Sequence, residues 1–178
     1  MTCRSFQRFS LYLPDIFATM TEGTVWDPLR KKEVALTPEE HVRQWFIGLL
    51  HNLMHVPMHM MMSEVAFKLG AKNFRADILV YDRNASPLAV VECKRPETAV
   101  DSQVLDQAIR YNMVLDVRYI FITNGKKTFI CRKKPSQSGD SETDAGIPEY
   151  EFISQVPEYR QMLQEDAQEE KRFRGVLK

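Results

Sequence analysis

Residues 75–97, "RADILVYDRNASPLAVVECKRPE", hold two strand-like runs joined by a turn from Asp82 to Pro87, a pattern that predicts a hairpin. In "LAVVECK" (88–94) the two-residue period sends Leu88, Val90, Glu92 and Lys94 to one face and Ala89, Val91 and Cys93 to the other. Glu92 and Lys94 therefore project together, roughly 7 Å apart along the strand. On the preceding strand Asp77 points with Leu79 and Tyr81, and hairpin pairing can bring it beside Glu92. Charge is rarely buried without a partner, so these residues are either an exposed strand end closed by a cross-strand ion pair or a group that does chemistry. Two hard carboxylates suit Mg²⁺ or Mn²⁺, and an adjacent lysine suits the orientation or deprotonation of a metal-bound water, as phosphodiester hydrolysis requires.

Upstream, Thr37 is an N-cap, Pro38 suits the first helical position and Glu40 completes a capping box. The helix predicted over "PEEHVRQWFIGLLHNLM" (38–54), stopped by Pro57, carries Val42, Trp45, Phe46, Leu49, Leu50 and Leu53 on one stripe. At ~100° per residue Glu39 falls within that stripe and is expected to point into the fold, with Glu40 at its edge as a cap partner. An inward acid asks for a cation; a metal is one source, and a helix N-terminus is another. The strand predicted at "HMMMSEVAFKL" (59–69) carries Glu64, which can join the acids or pair with Lys68 or Lys72.

Downstream, a second amphipathic helix, about Val100 to Leu115, sets Gln107 and Tyr111 together at one margin of its apolar stripe, as boundary packing or as contacts for a phosphate. "RYIFITN" (118–124) and "KTFICRK" (127–133) are further strands. A helix crossing between the third and fourth strands makes those two parallel. The expected class is α/β, a mixed β-sheet flanked by helices in the order αβββαβ plus an extra strand. The expected divisions are an N-terminal arm (1–36), a core (37–134), a flexible linker or loop (135–147), and a C-terminal strand and charged helix (148–178) packing on or extending the core.

The 178-residue chain balances 24 Lys and Arg against 24 Asp and Glu, so no global field draws it to nucleic acid or membrane. An anionic partner must be held by local clusters such as Arg30-Lys31-Lys32, Lys126-Lys127, Arg132-Lys133-Lys134 and Lys171-Arg172, each of which also reads as solvated surface. Cys3, Cys93 and Cys131 have neither disulfide nor zinc spacing, and no membrane span or targeting segment is read, so a cytoplasmic protein is expected. His51, His55 and His59 recur every four residues, but Pro57 separates the last from the helix. No GxxxxGK phosphate loop is present.

"RAD" (75–77), "ECK" (92–94) and "QAIRY" (107–111), in that order, resemble the PD-(D/E)XK nuclease superfamily and its RecB-like branch. More narrowly, residues 24 to 132 resemble the N-terminal nuclease domain of type I restriction enzyme R subunits. The resemblance implies a restriction-endonuclease-like core and a metal-dependent DNA nuclease. Its catalytic residues would be Glu39, Asp77, Glu92, Lys94, Gln107 and Tyr111. Asp77, Glu92 and Glu39 would hold Mg²⁺, or Mn²⁺ in its place. Ala76 stands where the family commonly has proline, a position without a functional group. The implied partners are DNA and specificity, modification or helicase subunits, with a homodimer an open option and no membrane; the chain is expected to act without the family's helicase motor. The alternative is a non-catalytic module that binds nucleic acid or docks onto a restriction or repair complex.

Overall fold

A computed structural model describes residues 23–69, 71–135 and 148–176; residues 1–22 of the expected arm, with Cys3, and residues 136–147 of the expected loop lie outside the described residues. The first helix, α1 (Pro38–Asn52), starts where its cap requires, with Thr37 in extended backbone and its Oγ1 accepting the Glu40 N–H at 3.1 Å. It ends before Pro57 because Leu53 closes the last turn onto the Leu49 carbonyl and His55 reverses the chain at φ +58°. His55 thus lies beyond the helix, and His51 Nδ1 lies 3.0 Å from the Val56 carbonyl oxygen instead.

Six strands form one mixed sheet in the order β3 (Met61–Leu69), β4 (Lys72–Tyr81), β5 (Pro87–Cys93), β6 (Tyr119–Thr123), β7 (Thr128–Lys133) and β8 (Tyr150–Ile153). The β4–β5 hairpin turns on Asp82, whose Oδ1 accepts the N–H groups of Asn84 and Ser86 at 2.8 and 2.7 Å. Neighbouring strands are antiparallel except β5 and β6, which run parallel across the crossover helix α2 (Ser102–Asn112). A separate hairpin, β1 (Thr24–Asp27) and β2 (Lys32–Ala35), precedes α1, and α3 (Tyr159–Val176) follows β8.

Two apolar layers hold the sheet. On one face α1 and α3 bring Val42, Phe46, Leu50 and Met162 against Ile78, Val91 and Phe121. On the other, Leu105 and Ala108 of α2 cover Val90, Ile120 and Ile122. Burial on both faces explains the uninterrupted apolar runs of β5 and β6. The buried arc of α1 is rotated from the sequence expectation: Ile47 is 1% exposed, whereas Leu53 is 39% exposed. That rotation carries Glu40, Arg43 and Gln44 inward with Ile47.

The difference is measurable. Leu50→Ala should cost about 2–5 kcal/mol and Leu53→Ala less than about 0.5 kcal/mol in urea unfolding, since only the first opens a cavity in a closed layer.

Candidate functional site

The rotation of α1 makes Glu40, not Glu39, the buried acid of its first turn. Glu40 Oε1 accepts from Arg30 Nη2 at 2.6 Å and from Gln44 Nε2 at 2.8 Å, and Oε2 pairs with Arg43 Nη1. The two guanidiniums and the amide provide the partners that burial demands. Glu40 therefore does not close the capping box beyond its own N–H. The Glu39 side chain stays 41% exposed at the rim, its Oε1 3.5 Å from Arg43 Nη2.

Arg30 in turn is bound by Asp27, which accepts the N–H groups of Leu29 and Arg30 and the Arg30 guanidinium. Burial works against the Asp27 carboxylate, but these donors outweigh it and hold its pKa below the ordinary value. Arg30 thus leaves the solvated basic cluster expected of residues 30–32 and ties the β1–β2 hairpin to α1.

Arg43, 5% exposed, reaches from α1 to the sheet: Nη2 lies 2.7 Å from Asp77 Oδ1 and 2.6 Å from Glu64 Oε1. Burial opposes its charge, and Asp77 and Glu40 more than restore it. Glu64 sits in β3 between the pairs Ser63↔Ile78 and Val65↔Ala76, in left-handed backbone at φ +57° that a non-glycine residue rarely takes. Its carboxylate pairs with Arg75 as well as Arg43, two arginines that the sequence expectation did not include.

β4 and β5 part beside Asp77. The last paired residues are Ile78 and Val91; two residues beyond Val91, the Cys93 N–H donates to Asp77 Oδ2 at 2.6 Å rather than to a strand carbonyl. β5 stays paired with β6 through Glu92↔Ile122 and Cys93↔Thr123, and the Lys94 N–H reaches the Thr123 carbonyl at 2.8 Å. Asp77 and Glu92 thereby stand together at the opened end of the sheet, with Lys94 Nζ donating to Glu92 Oε1 at 2.8 Å. Burial, aided by nearby Asp77, pushes the Glu92 carboxyl up against the opposing pull of Lys94. Burial also opposes the Lys94 charge, yet Glu92 more than offsets it and keeps the ammonium form favoured. Cys93 is buried in the α1-side layer, as packing.

At the same end, the β6–β7 turn uses Asn124 Oδ1 to accept the N–H groups of Lys126 and Lys127 at 3.0 and 2.8 Å. Gly125 takes φ +80° there, and a side chain would press on Val42. The turn holds Lys126 and Lys127 exposed. The other expected basic run is engaged within the fold: Arg132 with Glu151, Lys133 with Asp116 and Lys134 with Glu149.

Gln107 and Tyr111 do not enter the contacts of the acid group. They line a groove of about 740 Å³ with Asn73, Phe74 and Arg110, between α2 and the start of β4. The Tyr111 hydroxyl accepts the Arg75 N–H at 2.9 Å, so it steadies β4 two residues before Asp77. Asp77, Glu92 and Lys94 are thus brought together, Glu39 stands at their rim, and Gln107 and Tyr111 flank them.

Among the described residues no three His, Cys, Asp or Glu side chains converge in metal-holding geometry. The donor chemistry of the Asp77–Glu92 pair still suits Mg²⁺, which commonly takes one or two carboxylates and completes its shell with water and phosphate oxygens. Burial is the main cause of the elevated Glu92 carboxyl, and the neighbouring Asp77 adds to it. The sequence expectation left Arg43 unassigned and read Arg30 only as part of a basic surface cluster. For Arg43 a signal existed, since it lies four residues after Glu39 and three after Glu40, within reach of both on a helix.

A family model for the "Type I restriction enzyme R protein N terminus" matches residues 38–157. Among solved structures, a fragment assigned to an HsdR subunit of a type I restriction enzyme from Vibrio vulnificus YJ016 is similar, with 21% identity and a TM-score of 0.40 over 62% of this chain. The chain spans 21% of that neighbour's length. No curated protein matches it.

The ion-pair network predicts opposite outcomes for adjacent acids. Glu40→Gln should cost about 3–5 kcal/mol in urea unfolding by leaving buried guanidinium charge unpaired, and Glu39→Gln less than about 0.5 kcal/mol. Asp27→Asn should be less stable than the parent at neutral pH. Because the folded Asp27 pKa lies below 3.8, the unfolded chain binds its proton first as pH falls; the stability gap should narrow below about pH 3.8 in pH-dependent unfolding.

Proposed function

We start from the premise that the chain belongs to the type I restriction enzyme R protein N-terminus family, and propose that it is a metal-dependent DNA nuclease domain of the PD-(D/E)XK type. The observation that carries this reading is the meeting of Asp77, Glu92 and Lys94 where β4 and β5 separate. A cross-strand salt bridge needs one acid and one base, whereas here a second acid, Asp77, adjoins Glu92 and adds to the rise in pKa that burial imposes.

In the proposed site Asp77 and Glu92 hold Mg²⁺, or Mn²⁺ in its place, with Glu39 contributing from the rim. The bound ion would supply Lewis-acid charge and ease deprotonation of a water. Asp77 is aimed by Arg43 and the Cys93 N–H, so its orientation precedes substrate binding. The Lys94 ammonium, held by Glu92, stands to orient the attacking water and to stabilise negative charge growing on the phosphate oxygens. Gln107 and Tyr111 border the groove through which one strand would pass. Lys126, Lys127 and Arg95 are exposed at this end and would grip backbone phosphates. We assign the domain to a cytoplasmic restriction assembly, with DNA and specificity, modification or helicase subunits as partners and a second copy as the source of a second cut.

A second reading, a non-catalytic docking module, draws support from zero net charge and from the internal pairing of Arg132, Lys133 and Lys134. Incubation with supercoiled plasmid separates the two. The parent chain should nick DNA in Mg²⁺ or Mn²⁺, and Asp77→Ala and Lys94→Ala should each slow cutting by about 10²-fold or more. Intact plasmid with every metal, also in the presence of specificity and modification subunits, would sink the nuclease reading. Replacing Lys126 and Lys127 with glutamine should lower the slope of log affinity against log salt by about two.

A further inference from the structure

Arg43 is the most heavily shared cation among the described ion pairs. Its terminal nitrogens are divided among four carboxylates on three elements: Glu39 and Glu40 of α1, Glu64 of β3 and Asp77 of β4. Its Nε, also buried, has no hydrogen-bond partner. Glu40 and Glu64 each pair with a further arginine, Arg30 and Arg75. Among the described residues Asp77 has only Arg43 as an ion-pair partner, its other oxygen taking the Cys93 N–H. A divalent ion on the Asp77–Glu92 pair would therefore lie against Arg43 and share Asp77 with it.

We propose that Arg43 is the resident counter-cation of this site and the positioning residue for Asp77. It keeps the carboxylate aimed before a divalent ion arrives, and its charge sets how tightly that ion is taken. The proposal rests on the reading of Asp77 and Glu92 as a divalent-cation pair. Without the guanidinium, Glu40 and Glu64 keep Arg30 and Arg75, but Asp77 loses the arginine that pairs with it, and an external divalent ion becomes a way to neutralise it. The site then takes cations more tightly but holds Asp77 less firmly in the geometry that hydrolysis needs.

The test is thermal unfolding of the full chain titrated with Mn²⁺, for the parent, Arg43→Gln, Arg43→Lys and Arg43→Gln combined with Asp77→Asn. Arg43→Gln should unfold at a lower temperature than the parent without Mn²⁺ and regain part of the loss when it is added. Its half-maximal response should fall at an Mn²⁺ concentration about tenfold below the parent's, the electrostatic repulsion having been removed. Arg43→Lys, which keeps the charge without the fork, should keep the parent's midpoint, and Asp77→Asn should abolish the response.

A fixed drop in Tm at every Mn²⁺ concentration, with an unchanged midpoint, would reduce Arg43 to a structural residue and overturn the proposal. If Arg43→Gln folds only in Mn²⁺, the proposal is supported. If it folds in neither condition, Arg43→Lys decides, and a midpoint displaced from the parent's overturns the counter-cation role. No Mn²⁺ response in the parent or in Arg43→Gln would remove the metal reading along with this one. A shifted midpoint in a chain that cuts no DNA would keep this proposal and remove only the nuclease reading.

Discussion

One buried guanidinium has to be neutralised before the rest of this architecture can close. Arg43 is buried in the interface between α1 and the sheet, and its desolvation is offset by carboxylates from its own helix and from two strands. Glu40 comes from its own helix, Glu64 from β3 and Asp77 from β4. Each is held in turn, by Arg30, by Arg75 and by the Cys93 N–H. The rotation of α1, the left-handed backbone at Glu64 and the anchoring of the β1–β2 hairpin all serve this neutralisation. A purely apolar interface would place no such demand on backbone or helix rotation.

The apolar layers do a different task. Phe46, Leu50, Val91 and Phe121 on one face, with Leu105, Val90 and Ile120 on the other, fix the sheet between its helices. They also hold β5 against β6 beyond the point where β4 leaves, so the end of β5 projects Glu92 and Lys94 from a strand that is still rigid. Rigidity on one side and an opening on the other is the arrangement a preformed polar site requires. Asp77 bridges the two sides by accepting from Cys93, a side chain standing in for a ladder bond.

Much of this was legible in the chain. The hairpin of residues 75–97, the cap at Thr37 and the crossover between "LAVVECK" and "RYIFITN" follow from periodicity and turn chemistry, which act over a few residues. The adjacency of Asp77 and Glu92 follows from hairpin register, and that of Glu92 and Lys94 from the pleat. Helix rotation was not legible, because the stripe of α1 is broad: Leu53 and Ile47 are equally apolar, and only the sheet decides which is covered. Reading Glu39 as the inward acid followed the apolar average; the buried arginine pulled Glu40 inward instead.

The sequence by itself determined the order of elements from α1 onward, the mixed sheet and the nearness of two acids to a lysine, since each depends on contacts near in the chain or on strand parity; the β1–β2 hairpin lies in the stretch read as an arm. Only the tertiary structure decided where Arg43 goes, which glutamate of α1 is buried, and that Gln107 and Tyr111 stand in a neighbouring groove. Those outcomes depend on ion pairs between residues as far apart as Arg43 and Asp77, and on the cost of leaving any of them unpaired in a dry interior. No local pattern records that balance, because it exists only once the helix has been laid on the sheet.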